Sequence, residues 1–174
     1  LDTFKTEIIL HADILGQSIE VAWNINYTIS IFNLFGFSFQ NFDELIIMPT
    51  GCGEQIMATL APNLYVLRYL NATRSLSTSV TRRIIRNLKI GYQRILNYVH
   101  SDGSFSAFGY YDSTGSMFLT AFVVRILQDI KQYIYVDQKI IDRAVTWIIS
   151  NQLENGCFKT MSHVFQDMVS TVIY

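Results

Sequence analysis

Cysteine is scarce in this chain. Only Cys52 and Cys157 occur in 174 residues, too few for a disulfide scaffold. Histidine is nearly as sparse. His11, His100 and His163 lie at no metal-ligand spacing from either cysteine, so no metal site and no cofactor are expected. The formal charge is −1, without the basic footprint that nucleic acid requires. Charge is missing altogether between Val21 and Phe42, a run long enough to suggest a membrane helix. That run holds Asn24, Asn26, Asn33, Gln40 and Asn41, whose amides are costly in hydrocarbon, so no membrane span is expected. The chain starts at Leu1 rather than Met and closes on the apolar run Val169 to Tyr174; it is expected to be a fragment.

What is present is apolar. Half of the residues are hydrophobic and 14% are aromatic, enough for one domain with a substantial core. Residues 5–14 read as a short strand that Gly16 breaks, and 17–45 have no clear period. From Glu54 onward the pattern is helical. A short helix is expected over 54–60 and a second over 62–71, opened by Pro62, with a polar loop from Asn71 to Ser79. Ser79 is the expected cap of the next helix. Its apolar face is Val80, Ile84, Leu88, Ile95 and Val99, and Arg82, Arg83, Arg86 and Lys89 form a solvated opposite face. A turn-rich connection runs from His100 to Gly109. Thr114 or Ser113 should cap a helix over 115–132, whose Met117, Phe118, Ala121, Phe122, Val124, Ile126, Leu127 and Ile130 cover more than one stripe, the mark of a helix buried on several sides. Asp137 should cap a last helix with Ile140, Ile141, Ala144, Trp147 and Ile148 on its apolar face.

Asp102-Gly103-Ser104-Phe105 recurs as Asn155-Gly156-Cys157-Phe158, 53 residues later, each copy following an amphipathic helix. A period near 50 suits a repeated helix hairpin, with a turn pair and a phenylalanine that re-enters the core. The expected fold is all-α: part of an α/α toroid of paired inner and outer helices, led in by a short N-terminal β segment.

The chemistry concentrates in Gly51-Cys52-Gly53-Glu54-Gln55. Glycines on both sides leave the thiol uncrowded and allow a sharp turn. A helix begins just after it, so Cys52 sits at the positive end, where sulfur is stabilised as a leaving group. Gln55 lies one turn on. A cysteine sulfur and a glutamine side-chain carbonyl at this spacing can close an about 15-membered internal thioester, counted through the covalent bonds. Such an acyl group is a stored electrophile that must be kept from water. Glu54 suits the helix dipole and is assigned no chemistry.

Met48-Pro49-Thr50 followed by this core resembles the thioester motif of the alpha-macroglobulin and complement family, especially its insect-type thioester-containing proteins. Asp13-Ile14-Leu15-Gly16, Ala61-Pro62-Asn63, Leu67-Arg68-Tyr69-Leu70, Phe118-Leu119-Thr120-Ala121-Phe122-Val123, Ala144-Val145-Thr146-Trp147 and the Asn155–Phe158 turn resemble the family's flanks in order. The likeness covers about residues 5–20 and 42–168, and assigns 1–16 to the end of a preceding β domain or linker and 46–174 to a partial thioester domain. It implies a secreted, non-enzymatic protein of innate immunity. Proteolysis elsewhere exposes the thioester, the Gln55 acyl group passes to an amine or hydroxyl on a target surface or a protease, and Cys52 is released. A macroglobulin-type trap for proteases is the alternative. The rest of the same polypeptide is an implied partner. Asn71 is a possible glycosylation site if the chain is secreted; the Asn26 triplet carries no weight.

The chain departs from the family in three places. Many members carry a histidine in a run resembling Val-x-His-x-x-Met; here the run is Ser162-His163-Val164-Phe165-Gln166-Asp167-Met168, and His163 falls two to three residues early. His163 is the candidate for acyl transfer. Without it the thioester would acylate amines directly. Residues 21–40 have no counterpart and interrupt the linker 17–45; they and 169–174 are expected to be translated introns. Cys157 would pair with a cysteine beyond Tyr174 or stay a packed thiol.

Overall fold

The computed structural model describes residues 45–158. Four helices carry the fold: α1 (Gly53–Ala72), α2 (Thr78–Ile95), α3 (Met117–Ile130) and α4 (Gln138–Ser150), with short 3-10 turns at Leu96–Tyr98 and Gly109–Tyr111. The described residues hold no strand beyond two isolated antiparallel bridges. The expected N-terminal strand, the linker with its 21–40 insertion, the uncharged run and His163 lie outside the described residues.

The helices form two layers. α1 packs chiefly on α2, α3 packs chiefly on α4, and α1 meets α3. The inner helices are apolar on several sides; α1 buries Ile56, Met57, Leu60, Leu64, Val66, Leu67 and Leu70, and α3 buries Leu119, Val123, Ile126, Leu127 and Ile130. α2 and α4 bury one face each, through Ile84, Leu88, Tyr92 and Ile95 and through Ile141, Ala144, Trp147 and Ile148. This is an all-α arc of an α/α toroid. Asp129 ties the inner pair: Arg68 of α1 meets it at 3.1 Å and Arg125 at 3.4 Å. Burial, and then the Asp129 charge, pushes the neighbouring Tyr65 hydroxyl above its ordinary 10.0.

The two helices expected over 54–60 and 62–71 are one, with Pro62 inside it. Proline removes the bond to the carbonyl four residues back, a defect of about 3 kcal/mol in an exposed helix. Here α1 is inner, and the burial flanking Pro62 on both sides holds the helix together. Asn63 adds to this. Its Nδ2 donates at 2.8 Å to the Thr59 carbonyl, one turn back in the same helix.

The caps also move. Ser77, not Ser79, caps α2: its Oγ accepts from Val80 N at 3.3 Å. Ser116, not Thr114 or Ser113, caps α3, accepting from Leu119 N at 3.2 Å. Asp137 caps α4 as expected, accepting from Lys139 N at 3.0 Å. The α2 helix ends at Ile95 rather than running to Val99, and Leu96–Tyr98 tightens into a 3-10 turn. Arg83 leaves the solvated face and donates to the Ile46 carbonyl at 2.9 Å.

The sequence echo is a structural repeat. In the first copy His100 N donates to Ser104 O, Gly103 N to His100 O and Ser104 N to Asp102 Oδ1. In the second, Leu153 N donates to Cys157 O, Gly156 N to Leu153 O and Cys157 N to Asn155 Oδ1. The same bridge closes each, Val99 with Phe105 and Gln152 with Phe158. Gly103 and Gly156 share φ near +90° (+94° and +85°), the left-handed region that glycine occupies without penalty.

Candidate functional site: the Gly51–Gln55 turn

The site begins with the segment that leads into it. The carbonyls of Ile46, Ile47, Pro49 and Gly51 are each held by a side chain from elsewhere. Arg83 donates to Ile46, Asn63 Nδ2 to Ile47 at 2.8 Å, Arg94 Nη1 to Pro49, and the Tyr98 hydroxyl to Gly51 at 2.9 Å. Asn87 supports Asn63, donating to its Oδ1 at 3.0 Å, with both side chains buried. Gly91 completes the seat, because a Cβ there would lie 3.1 Å from Pro49 Cγ and 2.6 Å from Leu60 Cδ1. Residues 83, 87, 91, 94 and 98 follow one another at spacings of four and three. They form one stripe along α2 and its 3-10 extension, facing the lead-in segment.

Both glycines of the motif answer a close approach. Gly51 has φ +95°, and a Cβ on it would fall 2.0 Å from Gln55 Oε1. It makes room for the glutamine carboxamide. Gly53 makes room for the connection before α3, since its Cβ would stand 2.7 Å from the Ser106 carbonyl oxygen. Its N–H donates to Ala107 O at 2.8 Å. Sequence reasoning took the glycines as clearance for the thiol. The structure assigns Gly51 to the carboxamide and Gly53 to a neighbouring backbone.

Cys52 is the N-cap residue of α1 and Gln55 occupies the third helical position. The two residues face one another as a capping box. Gln55 Oε1 accepts from Cys52 N at 3.3 Å. In the reverse direction the Gln55 N–H points to the Cys52 side chain, without the geometry of an ordinary cap hydrogen bond. Cys52 is half-buried and Gln55 exposed, so the carboxamide is open to an incoming group. Glu54 is buried in the first turn, a position that favours a negative charge.

The remaining candidates lie apart from this turn. Asn71 is exposed in the last turn of α1, accessible to a glycan. Cys157 sits exposed in the second repeat turn, and neither cysteine is disulfide-bonded among the described residues. His100 is engaged at 2.7 Å with Ser106 Oγ, in the strand-like connection whose backbone meets Gly53. Tyr98, Arg94, Asn63 and Asn87 were missed from the sequence. The signal that could have found Asn87, Arg94 and Tyr98 is the polar stripe at 83, 87, 94 and 98, which the assignment of Arg83 to a solvated face obscured.

Paired helices around a Gly-Cys-Gly-Glu-Gln turn that caps an inner helix define a toroid of the thioester-domain class. Residues 9–173 match the A-macroglobulin TED domain, and the chain belongs to that family. It is similar to ovostatin of Gallus gallus, with 41% identity over 128 residues, which cover 74% of this chain. The matched part spans 9% of ovostatin's length. Among the described residues no helix is long and apolar enough to cross a membrane.

Proposed function

We propose that Cys52 and Gln55 form an internal thioester, and that the chain carries the reactive centre of a secreted protein of innate immunity. The Cys52 thiol adds to the Gln55 side-chain carbonyl. The Sγ–Cδ bond forms, the Cδ–Nε2 bond breaks, and the amide nitrogen leaves as ammonia with the thiol proton. When the protein is activated, an amine or hydroxyl on a target surface attacks Cδ, and Cys52 departs carrying the proton that the nucleophile gives up. The group is consumed once, so the protein acts as a reagent rather than as an enzyme. The observation that carries this reading is the Gln55 carboxamide folded back on Cys52, in the space that Gly51 leaves.

The test is a mass measurement on the full-length protein. A formed thioester makes it lighter by one ammonia. Methylamine should restore one free thiol and modify Gln55; no mass deficit and no released thiol would reject the proposal. With His163 displaced from the family position, amines are the preferred acceptors, and efficient transfer to glycerol would sink that preference.

Kinship with an A-macroglobulin domain and with ovostatin favours a second reading, entrapment of proteases. A protease bound covalently yet still active on small substrates, and shielded from large inhibitors, would mark a trap. Acylation of a microbial surface without protease capture would mark an opsonin.

A further inference from the structure

We propose that Tyr98 is a positioning residue for the acyl chemistry, acting through the peptide plane between Gly51 and Cys52, with the Cys52 N–H as the donor to the reacting carbonyl. This rests on the thioester reading above. The Gly51 carbonyl and the Cys52 N–H are the two ends of one planar, trans peptide group. The Tyr98 hydroxyl holds the first end at 2.9 Å, and Gln55 Oε1 accepts from the second at 3.3 Å. A plane with one end fixed keeps the other aimed.

The aim matters because of where charge develops. When a nucleophile adds to Cδ of Gln55, its carbonyl oxygen becomes an oxyanion, whether the nucleophile is the Cys52 thiol or an incoming amine. A donor already directed at that oxygen stabilises the transition state more than the ground state. Glycine at position 51 leaves the peptide group free to rotate on one side, so an external hold is needed. Tyr98 is placed to supply it. Its ring lies 3.3 Å from where a Cβ on Gly53 would stand, which locks the side chain against the turn. Arg94 extends the hold by donating to the Pro49 carbonyl, two residues before Gly51.

The test uses the full-length protein and Tyr98→Phe, which keeps the ring and deletes the hydroxyl. Thioester content is read from the ammonia mass deficit. The rate of thiol release by methylamine is measured per thioester-bearing molecule, with thermal unfolding alongside. Tyr98→Phe is expected to form less thioester and to react with methylamine about tenfold more slowly, at an unfolding temperature close to wild type. Arg94→Met should behave in the same direction, Arg94→Lys should restore part of the rate, and Arg82→Ala on the solvent face should change neither readout. A merely structural role would loosen the turn, admit water and speed the loss of thioester. A variant that reacts at the wild-type rate or faster, or that loses its fold, therefore overturns the assignment to Tyr98. Failure of the wild-type protein to show any mass deficit or methylamine-released thiol overturns the thioester reading itself.

Discussion

Single residues in this domain are constrained by contacts that their neighbours in sequence do not reveal. Gly51 combines a left-handed φ of +95° with a 2.0 Å approach of Gln55 Oε1 to the place of a Cβ. Gly51→Ala should therefore cost about 1–3 kcal/mol through backbone strain and displace the carboxamide. The expected result is loss of methylamine-released thiol together with a lower unfolding temperature. Asp102 is a second case. Asp102 is exposed, and the partial loss of its hydration would raise its pKa; the hydroxyl and N–H of Ser104, then the charge of His100, outweigh this and hold the carboxyl below its ordinary 3.8. A depressed carboxyl stabilises the fold above its unfolded pKa and loses that contribution as pH falls through its folded value. Unfolding temperature should drop on acidification below about pH 4, and Asp102→Asn should flatten that part of the profile. The pattern Asp-Gly-Ser was legible as a turn. The Ser104 bonds that set its acidity were not, because they need the turn to be closed.

At the scale of elements, α1 shows how tertiary burial overrides a local rule. Pro62 marks a helix start by every local criterion, and an isolated peptide would break there. Within the toroid, residues on either side of it are packed against α2 and α3, and the helix continues. Asn63 is the polar member of this arrangement, fully buried and bonded to Thr59 O, Ile47 O and Asn87. Asn63→Ala removes these bonds and leaves the Asn87 amide buried without its acceptor. The expected cost is about 2–3 kcal/mol, measurable as a shift of the denaturant midpoint at constant slope. Because Ile47 is in the lead-in segment, the same variant should also lower thioester content. The stripe at 83, 87, 94 and 98 was present in the spacing, but periodicity cannot tell an arginine facing a carbonyl from one facing water. Arg82, Arg86 and Lys89 do face solvent, as a basic helix face should.

For the molecule as a whole, the repeat and the inner-pair contact decide the architecture. The two glycine turns share one hydrogen-bond scheme, so each outer helix ends in the same way; the first turn returns Phe105 to the core, fully buried, and Phe158 in the second is half-buried. Asp129 then couples the inner helices by accepting from Arg68 while pairing with Arg125. Asp129→Ala strands two guanidinium groups that are about one-third exposed (34% and 35%). Solvent softens the loss, and about 1–2 kcal/mol is expected. Placing the carboxylate at the α1–α3 contact implies that Arg68→Ala and Asp129→Ala are not additive; a double-mutant cycle with zero coupling would contradict it.

By itself, the sequence determined that this is a helical domain of paired elements, with a 53-residue echo and a cysteine and glutamine one turn apart at a helix start. Those features are local, set by hydrophobic period, turn residues and spacing, and they survive without knowledge of the fold. Only the tertiary structure decided that Pro62 lies within a continuous helix, that Ser77 and Ser116 are the caps, and that Gly51 makes room for Gln55. It also decided that Arg83, Arg94 and Tyr98 hold the segment leading into the turn. The unbroken helix through Pro62 and the holds on the lead-in segment depend on which surfaces meet when α1, α2 and α3 come together, and contacts between distant segments leave no period in the chain; the caps and the Gly51–Gln55 approach are local, and follow from where each helix starts.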